Sequence, residues 1–239
     1  MKRTASVVHG MVTILLLIFL CEKSMAGVVI EQMMKGREGI ASKVIIYYSG
    51  HRFRTDHLEG GLTTIMDFKG DRMIMVDHSS RSYVEVKFSH WEKEIAKRLK
   101  KETPVTTPRE RKIIVRRAGE TATINGFRTE KIEILADGEL IEENWVTRDV
   151  DLKEMEEVME KEARGFSKEF RLEMKEGREI YEKLKPYGFP ILIKDYTMTY
   201  GLGPIDRMEV KRIEQKDLKD EVFLPPAGYQ RIVPKPSKK

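Results

Sequence analysis

The chain has almost no cysteine, and it lacks the short motifs by which many enzymes bind nucleotides or activate a nucleophile. Its one cysteine among 239 residues is Cys21. Because that residue lies in a segment that we expect to be removed, neither a disulfide nor thiol catalysis is available to the rest of the chain. No G-x-S-x-G sequence, Walker motif or glycine-rich nucleotide loop is present. We therefore predict a non-enzymatic protein without a cofactor.

Metal-ligand spacing is missing as well. The histidines after the first 26 residues form neither H-x-H nor H-x-x-x-H: His51, His57, His78 and His90. Each is interpreted as a surface histidine. Methionine is abundant, with 13 residues, and thioethers can bind copper(I). A copper site usually adds histidine or cysteine at short spacing, which Met73-Ile-Met75 lacks, so flexible apolar filling of a core or groove is the preferred interpretation.

The first 26 residues have the three parts of a cleavable export signal. Lys2 and Arg3 supply positive charge, residues 7–20 are largely apolar, and small residues at Ser24 and Ala26 precede a cleavage site before Gly27. The apolar run is shorter than the roughly 20 residues that span a bilayer. The sequence therefore predicts a periplasmic or secreted protein, although retention of the segment as an anchor stays open.

Lipid attachment at Cys21 is a competing hypothesis for the same segment. It requires a small residue just before the cysteine, and the bulky Leu20 stands there, so we predict a free protein. Removal of residues 1–26 takes away three basic residues and one acidic residue, and the net charge falls from +5 to +3. A small net charge on an exported protein does not favour nucleic acid as a partner.

Alternating apolar and polar residues predict a meander of antiparallel strands over most of residues 28–147. Turn signals recur about every ten residues, and Asn125-Gly126 is the strongest hairpin signal. Capping boxes predict a short helix beginning at Ser89 with Glu92, and a long one from Asp151 with Glu154 to about Leu184. Gly165 and Gly177 are weak points at which the long helix could bend or break. Strands resume at residues 191–200 and 206–213.

The resulting fold class is mainly β (α+β), in one domain spanning residues 27–239. We predict a single curved antiparallel sheet or half-open β-barrel of about ten strands, with one short and one long helix packed on the concave side. A long sheet with so few helices leaves room for an apolar groove. The candidate lining residues, chosen by apolar character alone, are Met66, Phe68, Met73, Met75, Trp91, Trp145, Phe166, Phe170 and Tyr196.

The stretch Lys97–Arg117 holds nine basic residues against Glu102 and Glu110. Peripheral contact with anionic lipid headgroups is one interpretation. The preferred alternative is a solvated loop and an edge strand that charge protects from aggregation.

Several segments resemble a secreted bacterial family of unknown function, DUF4412. The resemblance lies in Phe68–Asp77, Tyr83–Glu85, Glu120–Ile134 and Phe223–Tyr229. This family is similar in pattern to the lipoprotein-carrier superfamily of LolA, LolB and LppX, whose fold is a half-open antiparallel barrel closed by helices around an apolar cavity. The resemblance implies that fold and no catalytic residue. Thr129 stands where members often have cysteine, so no thiol role is implied.

The leading functional hypothesis is an exported, non-enzymatic protein that binds a lipid, an acyl chain or another amphiphile between sheet and helices. The alternative is an envelope structural or protein-interaction module whose core is filled by its own side chains and which has no small-molecule ligand. An accessible apolar cavity of a few hundred Å³ favours the first.

Overall fold

The computed structural model of the chain describes residues 27–36, 39–102, 111–168, 171, 174–196 and 205–233. The predicted export signal, with Cys21 and Ala26, lies outside the described residues, and so does the candidate Phe170. Within the described ranges, no helix is both long enough and apolar enough to cross a bilayer.

One open sheet contains the strands of the described residues. The strands are β1 (Gly27–Gly36), β2 (Ala41–Ser49), β3 (Arg52–His57), β4 (Leu62–Asp67), β5 (Arg72–Asp77), β6 (Ser82–Lys87), β7 (Ile113–Ile124), β8 (Phe127–Ala136), β9 (Glu139–Thr147), β10 (Phe189–Asp195), β11 (Ile205–Lys216) and β12 (Gln230–Arg231). Their order across the sheet is β12-β6-β5-β4-β3-β2-β1-β11-β10-β9-β8-β7. The pairs are antiparallel except that β12 is parallel to β6. The predicted mainly β, antiparallel architecture is confirmed, and the sheet does not close.

The described sheet has twelve strands, where about ten were predicted. One addition is β12, a strand of two residues that is too short to leave an alternating pattern. The residues before and after Gly119 belong to the single strand β7. Its register against β8 shifts between Arg117 and Thr121, and Gly119 accommodates the bulge with a φ of 83°.

The predicted long helix is divided. The described helices are α1 (Phe88–Glu102), α2 (Lys153–Gly165) and α3 (Lys175–Leu184). Helix α2 ends at Gly165 because the next residue, Phe166, has an extended backbone with φ −63° and ψ 153°. The predicted long helix is therefore two helices, and the break follows Gly165, one of its two predicted weak points. The division creates two short helices on the sheet with a gap between them.

The predicted capping box at Ser89 and Glu92 is also wrong. The carboxylate of Asp71, in the β4–β5 turn, accepts hydrogen bonds from the Ser89 backbone N–H at 2.7 Å and from its hydroxyl at 2.8 Å. These bonds lower the pKa of Asp71. Glu92 is buried, and its carboxylate accepts a hydrogen bond from the Ser167 backbone N–H at 3.0 Å. Glu92 therefore ties α1 to the segment that follows α2.

The face of the sheet that contacts α2 and α3, here called the helix face, carries two apolar clusters. Leu152, Met155 and Val158, at the start of α2 and within it, pack on side chains of β1, β2, β3, β10 and β11. Ile180 and Leu184 of α3 pack on β7, β8 and β9. Because consecutive side chains of a strand point to opposite faces, the alternation of buried residues assigns each position to one face.

The opposite face is covered at one end by residues 218–231, here called the C-terminal strap. Phe223, in a 3₁₀ turn (Asp220–Phe223), is 1% exposed and packs with Ile65, Ile74 and Val76 of β4 and β5. The guanidinium of Arg52 lies 4.6 Å from the centroid of the Phe223 ring. The strap thus supplies the core of a part of the sheet that no described helix covers on this side.

Candidate functional site

An apolar groove of about 460 Å³ separates α2 from α3; we call it the interhelical groove. Its apolar walls come from α2, from the segment after it, from α3 and from the start of β10: Met155, Met159, Ala163, Phe166, Met174, Tyr181, Leu184, Phe189 and Pro190. The charged side chains that also line it are Glu156, Glu160, Arg171, Arg178, Glu182 and Lys185. The groove exists because the helical segment is broken after Gly165.

Large apolar side chains are left partly in water along this groove. Met159 is 41% exposed, Met174 45% and Tyr181 39%. Single exposed apolar residues are ordinary on protein surfaces, whereas several that converge on one concavity mark a site of binding. Methionine is flexible and polarisable, so the thioether side chains of Met155, Met159 and Met174 let the walls adapt to an irregular apolar ligand.

An ion pair joins the two helical walls at one end of the groove. The Lys185 ammonium, just after α3, contacts the Glu160 carboxylate of α2, and it lies 3.8 Å from Glu156. The hydrogen bond from Lys185 lowers the pKa of Glu160, while burial raises the pKa of Glu156. These opposite shifts indicate that Lys185 is shared unequally, with Glu160 as its main partner.

Tyr181 is the aromatic residue of the α3 wall. Burial and the nearby negative charge of Glu156 raise the pKa of its hydroxyl to about 12, so the side chain is neutral at physiological pH. It therefore offers the groove an apolar ring with one uncharged polar tip.

Of the nine predicted lining residues, Phe166 lines the interhelical groove. Trp91 and Phe68 lie near it in a chain of ring contacts centred on Phe88, whose ring centroid is 5.2 Å from Phe68, 5.8 Å from Trp91 and 5.5 Å from Phe166. The chain continues through Phe53 to Tyr48. These side chains form the core between α1 and the helix face.

The three methionine candidates of β4 and β5 are spread along the same face. Met66 pairs in register with Met73. Met66 packs at the edge of the α2 cluster and Met73 is buried, whereas Met75 is 37% exposed. None of the three borders the interhelical groove.

Two candidates lie on the opposite face. Trp145 is in register with Lys131 and Leu192, and it alternates with Asn144 and Val146, which point to the helix face. Tyr196 follows β10 and is 46% exposed; its hydroxyl interacts with Glu143 on the same side. Apolar character alone could not distinguish the two faces of the sheet. Trp145 and Tyr196 do not line the interhelical groove.

Five residues that line the groove were not among the nine predicted lining residues, although a sequence pattern contains them. Met155, Met159, Met174, Tyr181 and Leu184 belong to the apolar stripe of the predicted long helix. A straight helix would bury such a stripe on the sheet. Only the break after Gly165 turns part of it toward a gap, and the sequence marked Gly165 and Gly177 as weak points without deciding between a bend and a break.

His78 is half-buried rather than a surface residue, so its interpretation changes. Its Nε2 lies 2.9 Å from the Thr63 hydroxyl, and its Nδ1 lies 3.0 Å from the Tyr229 hydroxyl of the strap. The Thr63 hydroxyl donates to Asp56 at 2.6 Å, so it accepts from Nε2–H, and Nδ1 accepts from Tyr229. The network holds the strap in place and leaves no ring nitrogen for a metal.

A second cleft, of about 660 Å³, opens beside the β7–β8 hairpin and is lined mainly by threonine and charged residues. Its charged groups already have partners: Arg128 pairs with Asp149 at 2.8 Å, and Arg148 donates to the Tyr187 backbone carbonyl at 3.3 Å. Within the described residues, no cluster of three or more histidine, cysteine or acidic side chains is placed to hold a metal ion. The interhelical groove is therefore the stronger candidate site.

Comparison with protein families identifies the chain. The family described as a domain of unknown function, DUF4412, matches residues 27–229. The chain belongs to this family, as its strand-and-turn segments indicated. A comparison with curated protein sequences finds no significant match.

Solved structures with a similar course of the chain share little sequence with it. An uncharacterized conserved protein from Thermus thermophilus is 10% identical, with a TM-score of 0.46, over 92% of this chain and 98% of that one. MucB is 11% identical, with a TM-score of 0.43, over 90% of this chain and 62% of MucB. The LolA superfamily protein NE2245 from Nitrosomonas europaea is 9% identical, with a TM-score of 0.31, over 85% of this chain and 91% of that one.

Proposed function

We propose that this DUF4412 protein is an exported, non-enzymatic binding protein that holds one hydrocarbon chain of an amphiphile in the interhelical groove. The observation that carries the proposal is the convergence of the partly exposed side chains of Met159, Met174 and Tyr181 on one apolar concavity. The export signal predicted in residues 1–26 supports a location outside the cytoplasm.

The dimensions of the groove suit a chain rather than a folded partner. Its volume of about 460 Å³ lies within the range of small-molecule sites, roughly 300–1,000 Å³. From Met155 to Ala163 the α2 wall is about 12 Å long at the rise of an α-helix. Each buried methylene contributes about 0.8 kcal/mol, so a short acyl segment is enough for measurable affinity without polar recognition.

The polar groups of the groove stand at its margin. Glu156, Glu160 and Lys185 are joined across one end, and Arg178 lies 3.8 Å from Glu182 on the α3 side. Since these charges already have partners, we expect the head of the amphiphile to stay in water while its tail enters the groove. Carboxylates satisfied by a lysine are typical of a structural ion pair rather than of a reacting group.

The alternative, an envelope structural or interaction module without a small ligand, is favoured by one observation. The helix face beneath α2 and α3 is filled by the protein's own side chains, including Ile132, Ile134 and Ile191, each 0% exposed. A ligand therefore has room between the helices but not beneath them. Peripheral contact with lipid through Lys97–Arg117 remains a further proposal; Arg116 and Arg117 in that stretch pair with Glu133 and Glu130.

Binding of a fluorescent fatty acid tests the proposal. We expect the purified protein to bind dansyl-labelled undecanoic acid saturably at one site, and the Met159→Lys variant to bind it at least about tenfold more weakly. The reason is that an ammonium within the groove would have to be desolvated by the bound tail, and tenfold corresponds to about 1.4 kcal/mol. Fluorescence titration at constant ionic strength gives both dissociation constants.

The matched control is Leu140→Lys, which places the same charge on a residue of similar exposure, 39% against 41% for Met159, outside the groove. This variant should bind the probe like the unaltered protein, and urea unfolding should show that both variants are folded. Absence of saturable binding, or equal affinity in Met159→Lys and the unaltered protein, would contradict the groove and favour the module without a ligand.

A further inference from the structure

A buried polar pair lies on the helix face of β9, outside the interhelical groove. Glu142 is 1% exposed and Asn144 is 0% exposed. The Asn144 side-chain amide donates a hydrogen bond to Glu142 Oε2 at 2.9 Å. Among the described residues, neither Glu142 Oε1 nor Asn144 Oδ1 has a hydrogen-bond partner. Two unpartnered acceptors at such depth are costly, since buried polar groups in native proteins are nearly always bonded.

The surroundings of Glu142 are apolar or negative. On β8 it is in register with Ile134, and on β10 with Asp195. The two charged groups that act on it electrostatically are Asp195 and Glu176, the latter in the first turn of α3. The Arg111 guanidinium, the cation that pairs with Glu176, donates both of its hydrogen bonds there to the Glu176 carboxylate.

Burial raises the pKa of Glu142 to about 7, and the negative charges of Asp195 and Glu176 act in the same direction against the hydrogen bond from Asn144. A group whose pKa is higher in the folded than in the unfolded chain stabilises the fold most at low pH. Its contribution is complete below the ordinary glutamate pKa of 4.5 and is lost as the pH rises toward 7. The carboxyl therefore changes charge within the range that an exported protein meets.

Helix α3 packs on the same patch of the helix face as this carboxyl. Ile180 and Leu184 of α3 pack in the same cluster as Ile134 and as Ile141, the residue before Glu142. The same helix supplies Tyr181 and Leu184 to the wall of the groove. An ionised Glu142 needs water at its unpartnered oxygen, and α3 is the described helix whose side chains pack on this patch of the sheet.

We propose that Glu142 is a proton-operated support for α3, holding this wall of the interhelical groove in place when protonated and releasing it when ionised. The inference concerns regulation of the proposed ligand site and so rests on the proposed function for its physiological meaning. A bound hydrocarbon chain would be held near pH 6 and released more readily above pH 8. Asn144 keeps Glu142 oriented in the protonated state.

Hydrogen exchange separates this support from the groove itself. Amide protection of residues 175–184, corrected for the intrinsic pH dependence of exchange, should fall about tenfold or more in the unaltered protein between pH 6 and pH 8.5. In Glu142→Gln, which is neutral at both values, the protection should not change with pH. Glu139→Gln, the same substitution at an exposed position of the same strand, should behave like the unaltered protein.

The outcomes distinguish the two proposals. If the pH-dependent loss of amide protection disappears in Glu142→Gln, the proposed role of Glu142 stands. That conclusion holds even if no fatty-acid probe binds, and then only the proposal of a ligand in the groove fails. Equal pH profiles in Glu142→Gln and the unaltered protein overturn the support role, even if the probe binds. Should Glu142→Gln not fold, Glu142→Met and the carboxyl titration of Glu142 followed by carbon NMR give the same decision, with a midpoint below pH 5.5 counting against the proposal.

Discussion

Replacement of Phe223 by alanine is expected to lower the free energy of unfolding by about 3–5 kcal/mol, the usual range for a large aromatic side chain removed from a core. Phe223 is 1% exposed and holds the C-terminal strap on Ile65, Ile74 and Val76. The substitution leaves a cavity and also removes the ring that the Arg52 guanidinium covers. Urea denaturation at neutral pH, followed by circular dichroism, measures the difference.

The adjacent residue offers the control for this experiment. Leu224 is 44% exposed, so Leu224→Ala should change the free energy of unfolding by less than about 1 kcal/mol. If Phe223→Ala were equally mild, the strap would be an appendage rather than a part of the core. In that event β4 and β5 would have to be stable with one face uncovered.

Substitution of alanine for Gly188 should be as damaging for a different reason. Gly188 joins the 3₁₀ turn (Lys185–Tyr187) to β10 with a φ of 132°, a backbone conformation that only glycine adopts without strain. An added Cβ would also overlap the carbonyl oxygen of Thr147 on β9. Strain and overlap together are expected to lower the free energy of unfolding by about 3 kcal/mol or more.

The same substitution should weaken fatty-acid binding, because Phe189 and Pro190 directly after Gly188 form one end of the groove. Gly165→Ala is the matched control: a Cβ there meets nothing within 4 Å, and its φ is not positive. Alanine in this last turn of α2 should leave stability unchanged or raise it by less than about 1 kcal/mol. Equal effects of the two substitutions on thermal unfolding would show that the Gly188 backbone is not constrained.

Much of the sheet could be predicted from local signals, because a hairpin is specified by a few neighbouring residues. At Asn125-Gly126 both residues have positive φ, 50° and 87°, as the two-residue turn requires. The same holds at Asp137-Gly138, with 51° and 90°. Strand β12 could not be found in this way, because its two residues are held by β6 from a distant part of the chain.

The ends of the helices and the face of the sheet on which a side chain lies were harder to predict from the sequence, because tertiary contacts decide both. The Asp71 carboxylate, and not the Ser89 side chain, accepts a backbone hydrogen bond at the start of α1. The Glu92 carboxylate accepts one from Ser167 and not from its own helix. Trp145 is as apolar as Val146, yet one residue of difference puts the two on opposite faces. The burial of Glu142 could not be predicted, since a glutamate in a strand is normally expected to face solvent.

The position of β1 has a consequence for the order in which the molecule is assembled. Strands β1–β6 lie side by side in chain order and so do β7–β11, and within the sheet the two runs meet where β1 pairs with β11. Ile30 there faces Ile213, so this pairing closes a loop that takes in most of the chain, at the largest entropic cost. Such long-range pairing is slow. A chain that appears gradually during synthesis would therefore fold its two runs first and join them only after β11 has appeared.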